Sequence, residues 1–254
     1  MKAYLNGVAL TSFSPAIVLL DVEELPPEMD AQTQPRGQSD GLAVTLEHRR
    51  VLKIRLKMEI HESNMARRKA ICTKIAAWAS KSGRLTLSDR PGQALDVRCE
   101  TLPVLSSALH WTQPVTLTLA ALDFPYWRSD RAATVNSAGA TWHALTLRPA
   151  GNAAPVPLEA QIRNVSSSAV TAVTIATPLG TFSFEGLALY PWQTLTVTEI
   201  AGLPAALVDG SSVLKCRTPQ SADRLRVSSG ADNAITVSAD QAVEVSLSAR
   251  GAWF

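Results

Sequence analysis

Residues 52–83 have the sequence LKIRLKMEIHESNMARRKAICTKIAAWASKSG, and the spacing of their apolar residues changes midway. In the first ten positions apolar and mostly charged residues alternate, and this period of two predicts a half-buried β-strand. Ile71, Ile75 and Trp78 then fall on one stripe of a helix. Ser63 is predicted to cap this helix and Gly83 to end it. Because a single strand is marginal in water, we expect the helix to lie across a sheet of several strands.

The remainder of the first half supplies further strands. Residues 25–41 contain three prolines and two glycines together with several acids, and they are predicted to form a long loop at the tip of a hairpin. Such loops often contact a partner. One helix and several strands predict a small α+β barrel or sandwich. The other predicted strands are residues 3–10, 16–22, 42–46, 85–87, 95–99 and 115–122.

Composition divides the chain. Residues 1–132 contain 17 Lys and Arg against 14 Asp and Glu, whereas residues 133–254 contain 7 against 8. Short alternations of Val, Thr, Leu and Ser dominate the second part, so we predict two domains, 1–132 and 133–254, the second an all-β sandwich. Its predicted strands are residues 141–147, 158–163, 170–175, 181–184, 194–198, 213–216, 234–237 and 243–247.

Composition also excludes several classes of protein. No apolar run is long enough to span a bilayer, and neither a signal peptide nor a membrane segment is predicted. Cys72, Cys99 and Cys216 are odd in number and lack metal-ligand spacing, so reduced thiols and assembly in a reducing cytosol are expected.

Catalytic motifs are absent or out of context. Residues 37–41, GQSDG, match the pattern of a hydrolase nucleophile, but they lie in a proline-rich acidic segment rather than between a strand and a helix. No two histidines have the spacing of a helical metal site, and surface or edge positions are expected for all four. Glu23 and Glu24 do not belong to a calcium loop. We therefore predict neither an enzyme nor a protein with a cofactor or metal.

Several short segments, spread over nearly the whole chain, are informative as a set. They are LNG at 5–7, the Pro- and Gly-containing loop ending in DG at 40–41, the basic strand and helix with Trp78, LTLSDRPG at 85–92, DFPYW at 123–127, and DNAITV at 232–237 before 249–254. In this order they resemble the distal tail (Dit) proteins of long-tailed bacteriophages or prophages.

The resemblance implies a structural role. The first domain would be a hub that forms a hexameric ring between the tail tube and the tail-associated hub protein, with a channel that DNA crosses without specific binding. The second would be a galectin-like β-sandwich at the periphery, with a receptor-binding protein as a further partner. The protein would be assembled in the cytoplasm of the bacterial host and reside at the tail tip of the virion. No catalytic residues follow from the resemblance.

Two charge blocks suggest how such a ring would hold together. Residues 21–40 contain six acids against Arg36, and residues 47–74 contain nine Lys and Arg against three acids. In a ring, an acidic loop of one protomer could clasp the basic surface of the next. The alternatives are that the loop folds back on its own strand or is solvated. The proposed interface residues are Glu23, Glu24, Glu28, Asp30, Lys53, Arg55 and Lys57.

The basic run and the aromatic residues of the second half suggest two other kinds of binding. The basic run would suit nucleic acid, but Trp78 belongs to the apolar stripe and the other aromatic residues lie far from it in sequence. The alternative function is a carbohydrate-binding β-sandwich that attaches to the host surface, with Trp142-His143 and Tyr190-Pro191-Trp192 as its candidates. Because no polar partners at alternating positions surround these residues in sequence, we interpret them as packing or interface aromatics.

Overall fold

The structure is a computed structural model that describes residues 1–27, 29–35, 42–49, 51–102, 112–121, 124–153, 155–200 and 202–254. It divides into two compact units, Met1–Trp127 and Arg128–Phe254. The boundary from composition, 132/133, lies a few residues further along the chain. The predicted fold class is confirmed: the protein is mainly β, and the described residues contain one α-helix, in the first unit.

The first unit is built on one antiparallel sheet with strand order β2-β1-β7-β8-β9-β6-β3, and β4 pairs separately with β5. Its elements are β1 Ala3–Leu5, β2 Val8–Ala9, a 3-10 helix Leu10–Phe13, β3 Ile17–Leu25, β4 Met29–Pro35, β5 Leu42–Arg49, β6 Leu52–His61, α1 Met65–Ala79, β7 Gly83–Leu87, β8 Gln93–Thr101 and β9 Thr112–Ala121; β10 Trp127–Ser129 follows at the boundary.

The predicted strand and helix of residues 52–83 are confirmed as β6 and α1. β6 lies between β3 and β9, and its alternate residues from Leu52 to Ile60 are buried while those between them face outward. On α1, Ile71, Ile75 and Trp78 are buried, and the Trp78 indole N–H donates to the Val8 carbonyl at 2.9 Å. The helix therefore contributes its apolar stripe to the core, as predicted.

Both predicted ends of the helix are wrong. Asn64 is the N-cap in place of Ser63, and its Oδ1 accepts from the Arg67 N–H at 3.1 Å. The helix ends at Ala79, and Gly83 instead begins β7, where a Cβ would lie 2.0 Å from Asn6 Oδ1. Ser63 is not the N-cap, because the residue after it, Asn64, has the extended backbone of a cap. A glycine is needed at position 83 because the Asn6 side chain approaches its backbone closely, and not because it ends the helix.

Two predicted elements at the start of the chain also change. Residues 3–10 form a hairpin rather than one strand, because Asn6 and Gly7 have φ of 52° and 78° and make the tight turn that Asn-Gly favours. Residues 25–41 are not one long loop, since β4 pairs with β5 from Met29↔Arg49 to Pro35↔Leu42. Residues 36–41 lie outside the described residues.

The second unit has strand order β14-β13-β19-β12-β15-β16-β17, with β11 on β19 and β18 on β12. Its elements are β11 Ala133–Leu147, β12 Val156–Asn164, β13 Val170–Thr177, β14 Gly180–Leu189, β15 Thr194–Ile200, β16 Leu203–Val208, β17 Ser211–Ser212, a 3-10 helix Leu214–Cys216, β18 Arg226–Val227, β19 Asn233–Ala249 and β20 Ala252–Trp253.

β19 organises this unit. One edge pairs with β11 along most of its length, while the other pairs with β13 near its start and with β12 from Val243 onward. The two strands predicted at 234–237 and 243–247 are thus one strand that changes partner midway. The strand predicted at 213–216 is wrong because residues 214–216 form a 3-10 turn, and β16 was not predicted because Pro204 and two alanines weaken its strand pattern.

Candidate functional site

The outward side of β6 contains the three basic residues that the sequence analysis proposed as part of an interface between protomers. Alternation along the strand turns Lys53, Arg55 and Lys57 away from the core, and the register places Glu23 of β3 opposite Arg55. We call these four residues, together with Glu100 of β8, the charged face. An open depression of about 670 Å³ beside Lys53 and Arg55 also belongs to this side of the unit.

The charges of this face are paired within the chain. Glu23 accepts hydrogen bonds from Lys57 and from Arg55, the latter at 3.1 Å. The Lys57 hydrogen bond lowers the pKa of the Glu23 carboxyl, with a smaller contribution from Arg55, although desolvation opposes both. Lys53 pairs with Glu100 at 2.6 Å. Glu23, which precedes the predicted loop, therefore pairs with its own sheet; one of the alternatives to a clasp was that the loop folds back on its own strand in this way.

Glu24 belongs to a different environment. It follows Glu23 on β3 and so points to the opposite face of the strand. Its carboxylate accepts from Arg90 at 2.6 Å and from the indole N–H of the fully buried Trp127 at 2.9 Å. The Arg90 guanidinium carbon also lies 4.9 Å from the Trp127 ring centroid. Glu24 thus joins distant parts of the first unit.

The remaining interface candidates are Asp30 and Glu28. Asp30 is on β4, opposite His48 of β5 in register. Glu28 lies outside the described residues. Among the proposed residues that the structure describes, Glu23, Arg55 and Lys57 are in direct contact.

The free edge of β3 is a surface that the sequence analysis missed. Among the described strands β3 pairs only with β6. Val18 and Leu20 on this strand are 40% and 58% exposed. An edge strand with exposed apolar side chains can pair with another chain, and natural proteins normally protect such edges. The signal was present as the apolar run before Asp21, but it was interpreted only as a strand.

The aromatic candidates of the second unit differ from one another. Trp142 and Trp192 are 60% and 66% exposed. His143 is buried, with its ring nitrogens 2.9 Å from Ser137 Oγ and 3.0 Å from the Ala140 carbonyl, so it is not at the surface. Its strand β11 pairs only with β19 among the described strands, which is the edge position that was the other expectation. The bulges of β11 between Ser137 and Trp142 enclose the imidazole. His61 is half exposed.

In the described part of the chain, no group of three or more His, Cys, Asp and Glu side chains could hold a metal ion, and no helix is long and apolar enough to cross a membrane. The GQSDG segment lies outside the described residues. Cys72 is buried, and burial raises the pKa of its thiol, which disfavours the nucleophilic thiolate.

No protein-family model matches the sequence, and no curated protein matches it significantly. Solved structures do match. The Dit protein (gp 19.1) of phage SPP1, described as a paradigm of the hub adsorption apparatus in phages that infect Gram-positive bacteria, aligns with a TM-score of 0.69 at 13% identity over 98% of both chains. Two structures of the activated phage P2 baseplate, with Ca and with Sr, align at 7% identity with TM-scores of 0.46 and 0.49, over 93% and 98% of this chain and 90% and 96% of theirs. The chain has the fold of the SPP1 Dit protein.

Proposed function

We propose that this chain is a structural component of a phage tail tip or baseplate. It forms a hexameric ring that joins the tail tube to the tail-associated hub and to peripheral adhesion proteins, and DNA passes through the ring without specific binding. The observation that supports this role is the likeness to the SPP1 Dit protein over 98% of both chains, which includes both units rather than one common domain. The protein acts by assembly and not by catalysis.

The free edge of β3 is the proposed contact between protomers. Val18 and Leu20 are exposed there, on an edge that pairs with no other strand in the described part of the chain, and a neighbouring copy would cover both the side chains and the edge. A ring provides each protomer with such a contact on both sides, so every edge is closed. The charged face and the β4–β5 hairpin with Asp30 lie on adjoining elements, and they set the register between neighbours.

The proposed location and binding partners follow from the same role. The ring is assembled in the bacterial cytoplasm and ends at the tip of the virion tail. Its partners are the tail tube protein, the tail-associated hub protein and a receptor-binding protein.

The test is the mass of the purified full-length protein. A ring has about six times the 27.2 kDa mass of one chain, which mass photometry resolves. Leu20→Lys places a charge on the exposed edge and should shift the protein to monomers with no large change in melting temperature. The matched control is Leu203→Lys in the second unit, where the leucine is 67% exposed and the ring mass should not change. A wild-type protein that stays monomeric at micromolar concentration would contradict the proposed function.

A further inference from the structure

Trp192 has a backbone conformation that disfavours its own side chain. Its φ is 72°, in the left-handed region. The other described non-glycine residues with positive φ are Asn6 and Asp209, whose short polar side chains tolerate that region. A bulky residue there is an outlier.

The turn around Trp192 would accept glycine more readily. The Gln193 N–H donates to the Tyr190 carbonyl at 3.1 Å, which closes a four-residue turn with Pro191 in second place. Proline second and a positive φ third are the pattern of a type II turn, whose third residue is normally Gly. Trp192 therefore costs folding free energy that glycine would not, and strain of this kind is typical of functional positions.

The turn is held firmly against its neighbours. The Trp192 N–H donates to the Asn164 carbonyl at 2.8 Å, and the Asn164 N–H donates to the Gln193 carbonyl at 3.0 Å. The Gln193 side chain accepts from the Tyr190 N–H at 2.9 Å and donates to Asp209 at 2.8 Å. These hydrogen bonds fix the turn that carries the indole, and the indole itself is 66% exposed. A ligand would therefore not have to order the turn on binding.

Polar side chains from three strands surround the indole. Arg163 of β12 is in register with Thr194 of β15 and Glu244 of β19, and its guanidinium carbon lies 5.3 Å from the Trp192 ring centroid. Arg163 and Glu244 approach to 3.7 Å, longer than a hydrogen bond, and both are about half exposed. Their hydrogen-bonding atoms therefore remain accessible to a ligand.

The same outward side continues along the strands. Gln161, two residues before Arg163, is paired in register with Thr196 and Ser246. We call Gln161, Arg163, Thr194, Thr196 and Glu244 the polar face. Its groups are planar amide, guanidinium and carboxylate side chains and short hydroxyls beside the exposed indole of Trp192.

We propose that Trp192 and the polar face bind a neutral hexopyranose glycan. The C–H groups on one side of a pyranose ring stack on an indole, and the hydroxyls at the ring edge pair with planar side chains that donate or accept two hydrogen bonds. Arg163 and Glu244 offset each other in charge, and the Glu159 carboxylate, which accepts from the Gln161 amide at 3.2 Å, adds a negative charge, so the site favours neutral over acidic sugars. A protein interface would instead have an apolar core depleted of charged residues.

The proposed glycan site is separate from the proposed contact between protomers of the ring and does not depend on it. The site lies on a surface of the second unit. It has the polar partners whose absence from the nearby sequence led us to interpret Trp192 as a packing or interface aromatic. Those partners come from residues 161–163, 194–196 and 244, which only the sheet brings together.

The experiment measures binding of the full-length protein to immobilised neutral oligosaccharides: glucans, galactans, mannans and N-acetylhexosamine oligomers. We expect binding to at least one class. Trp192→Gly should lower the affinity by about tenfold or more, as loss of a central aromatic contact does. Its melting temperature should be equal to or above that of the wild type, because glycine relieves the positive φ.

Controls separate this site from other effects. Trp142→Ala removes the other exposed tryptophan of the second unit and should leave the affinity unchanged, whereas Arg163→Met should reduce it. If Trp192→Gly lowers the melting temperature, Trp192→Asn replaces it, because asparagine tolerates the same φ. No binding at about 1 mM oligosaccharide, binding retained in both Trp192 variants, or capture of a protein without any glycan response would overturn the proposal. The ring mass of each variant, measured in parallel, shows whether the proposed function fails separately.

Discussion

Single residues in this protein gain their roles from partners far away in sequence. Glu23 and Glu24 are neighbours with the same side chain, yet one pairs with bases on the charged face and the other binds Arg90 and the buried Trp127. Asn164, the first residue of an apparent glycosylation sequon, is fully buried, and its amide donates to the carbonyls of Ser168 and Leu189. A buried polar side chain whose hydrogen bonds are satisfied within the protein has a structural role, so this asparagine is not a modification site.

Asp240 provides a test at this scale. It lies where β19 passes from β13 to β12, and it accepts from the N–H and the hydroxyl of Thr171. Desolvation would raise the pKa of the Asp240 carboxyl, but these bonds, with smaller backbone contributions, bring it below its ordinary value. Because the folded state lowers this pKa, Asp240 stabilises the fold above about pH 4, and the contribution is lost as pH falls through the lowered value.

We predict that Thr171→Val raises the pKa of Asp240 and weakens the acid dependence of stability. The measurement is the carboxyl titration by NMR, with urea unfolding at neutral and acidic pH. Thr174→Val is the matched control, because Thr174 lies on the same strand, β13, but its hydroxyl bonds to Ser183 of β14 rather than to a carboxylate. An Asp240 pKa that is the same in wild type and Thr171→Val would contradict the assignment.

At the scale of elements, α1 is held by its buried stripe rather than by surface charge. Its first turn contains no acidic residue and its last turn no basic residue, so interactions of charged side chains with the helix dipole contribute little to its stability. Trp78 is the largest side chain of the stripe, and its indole N–H ties the helix to β2. The stability of α1 therefore comes from packing against the strands at the start of the chain.

Trp78→Ala should destabilise the first unit by about 3 to 5 kcal/mol, because it leaves a cavity and removes the hydrogen bond to Val8. Urea unfolding followed by circular dichroism measures this change. Trp142→Ala, at an exposed tryptophan, should alter the free energy of unfolding by no more than about 0.5 kcal/mol. If Trp78→Ala unfolded like the wild type but failed to assemble, Trp78 would be an interface residue.

At the scale of the whole molecule, the question is whether the charged face acts only within its chain. Glu23→Lys breaks its pairs with Arg55 and Lys57, and the double variant Arg55→Glu, Lys57→Glu breaks them from the other side. Combining all three changes in one chain restores pairing whether it is internal or between protomers. Glu24 is left unchanged in every variant, because its bonds to Arg90 and Trp127 support the fold.

Mixing the two separate variants distinguishes the possibilities. If protomers clasp one another, each variant alone forms fewer rings at low salt, and an equal mixture recovers rings in which the two alternate. The effect should diminish at high salt, where the charges are screened. Native mass spectrometry counts the subunits of each kind. Rings that form equally well from every sample would show that the charged face stabilises only its own chain.

Local sequence was sufficient for much of the fold. The alternation of residues 52–61, the stripe of Ile71, Ile75 and Trp78, and most strands of the second half were predicted correctly, because periods of two and 3.6 follow from backbone geometry alone. Errors occurred where two local signals compete, as at Ser63 and Asn64, or where a turn is short, as at Asn6.

Tertiary structure decided which residues meet. Glu24 meets Trp127 across 103 positions, Trp78 meets Val8 across 70, and Trp192 meets Arg163 through a turn that packs on another strand. Such pairs cannot be predicted from the periodicity of a segment, because strand order and register depend on how whole sheets bury their apolar faces. The sequence by itself therefore determined the kinds of elements and the class of fold, and the packing of sheets determined the edge of β3, the pairing of the charged face and the surroundings of Trp192.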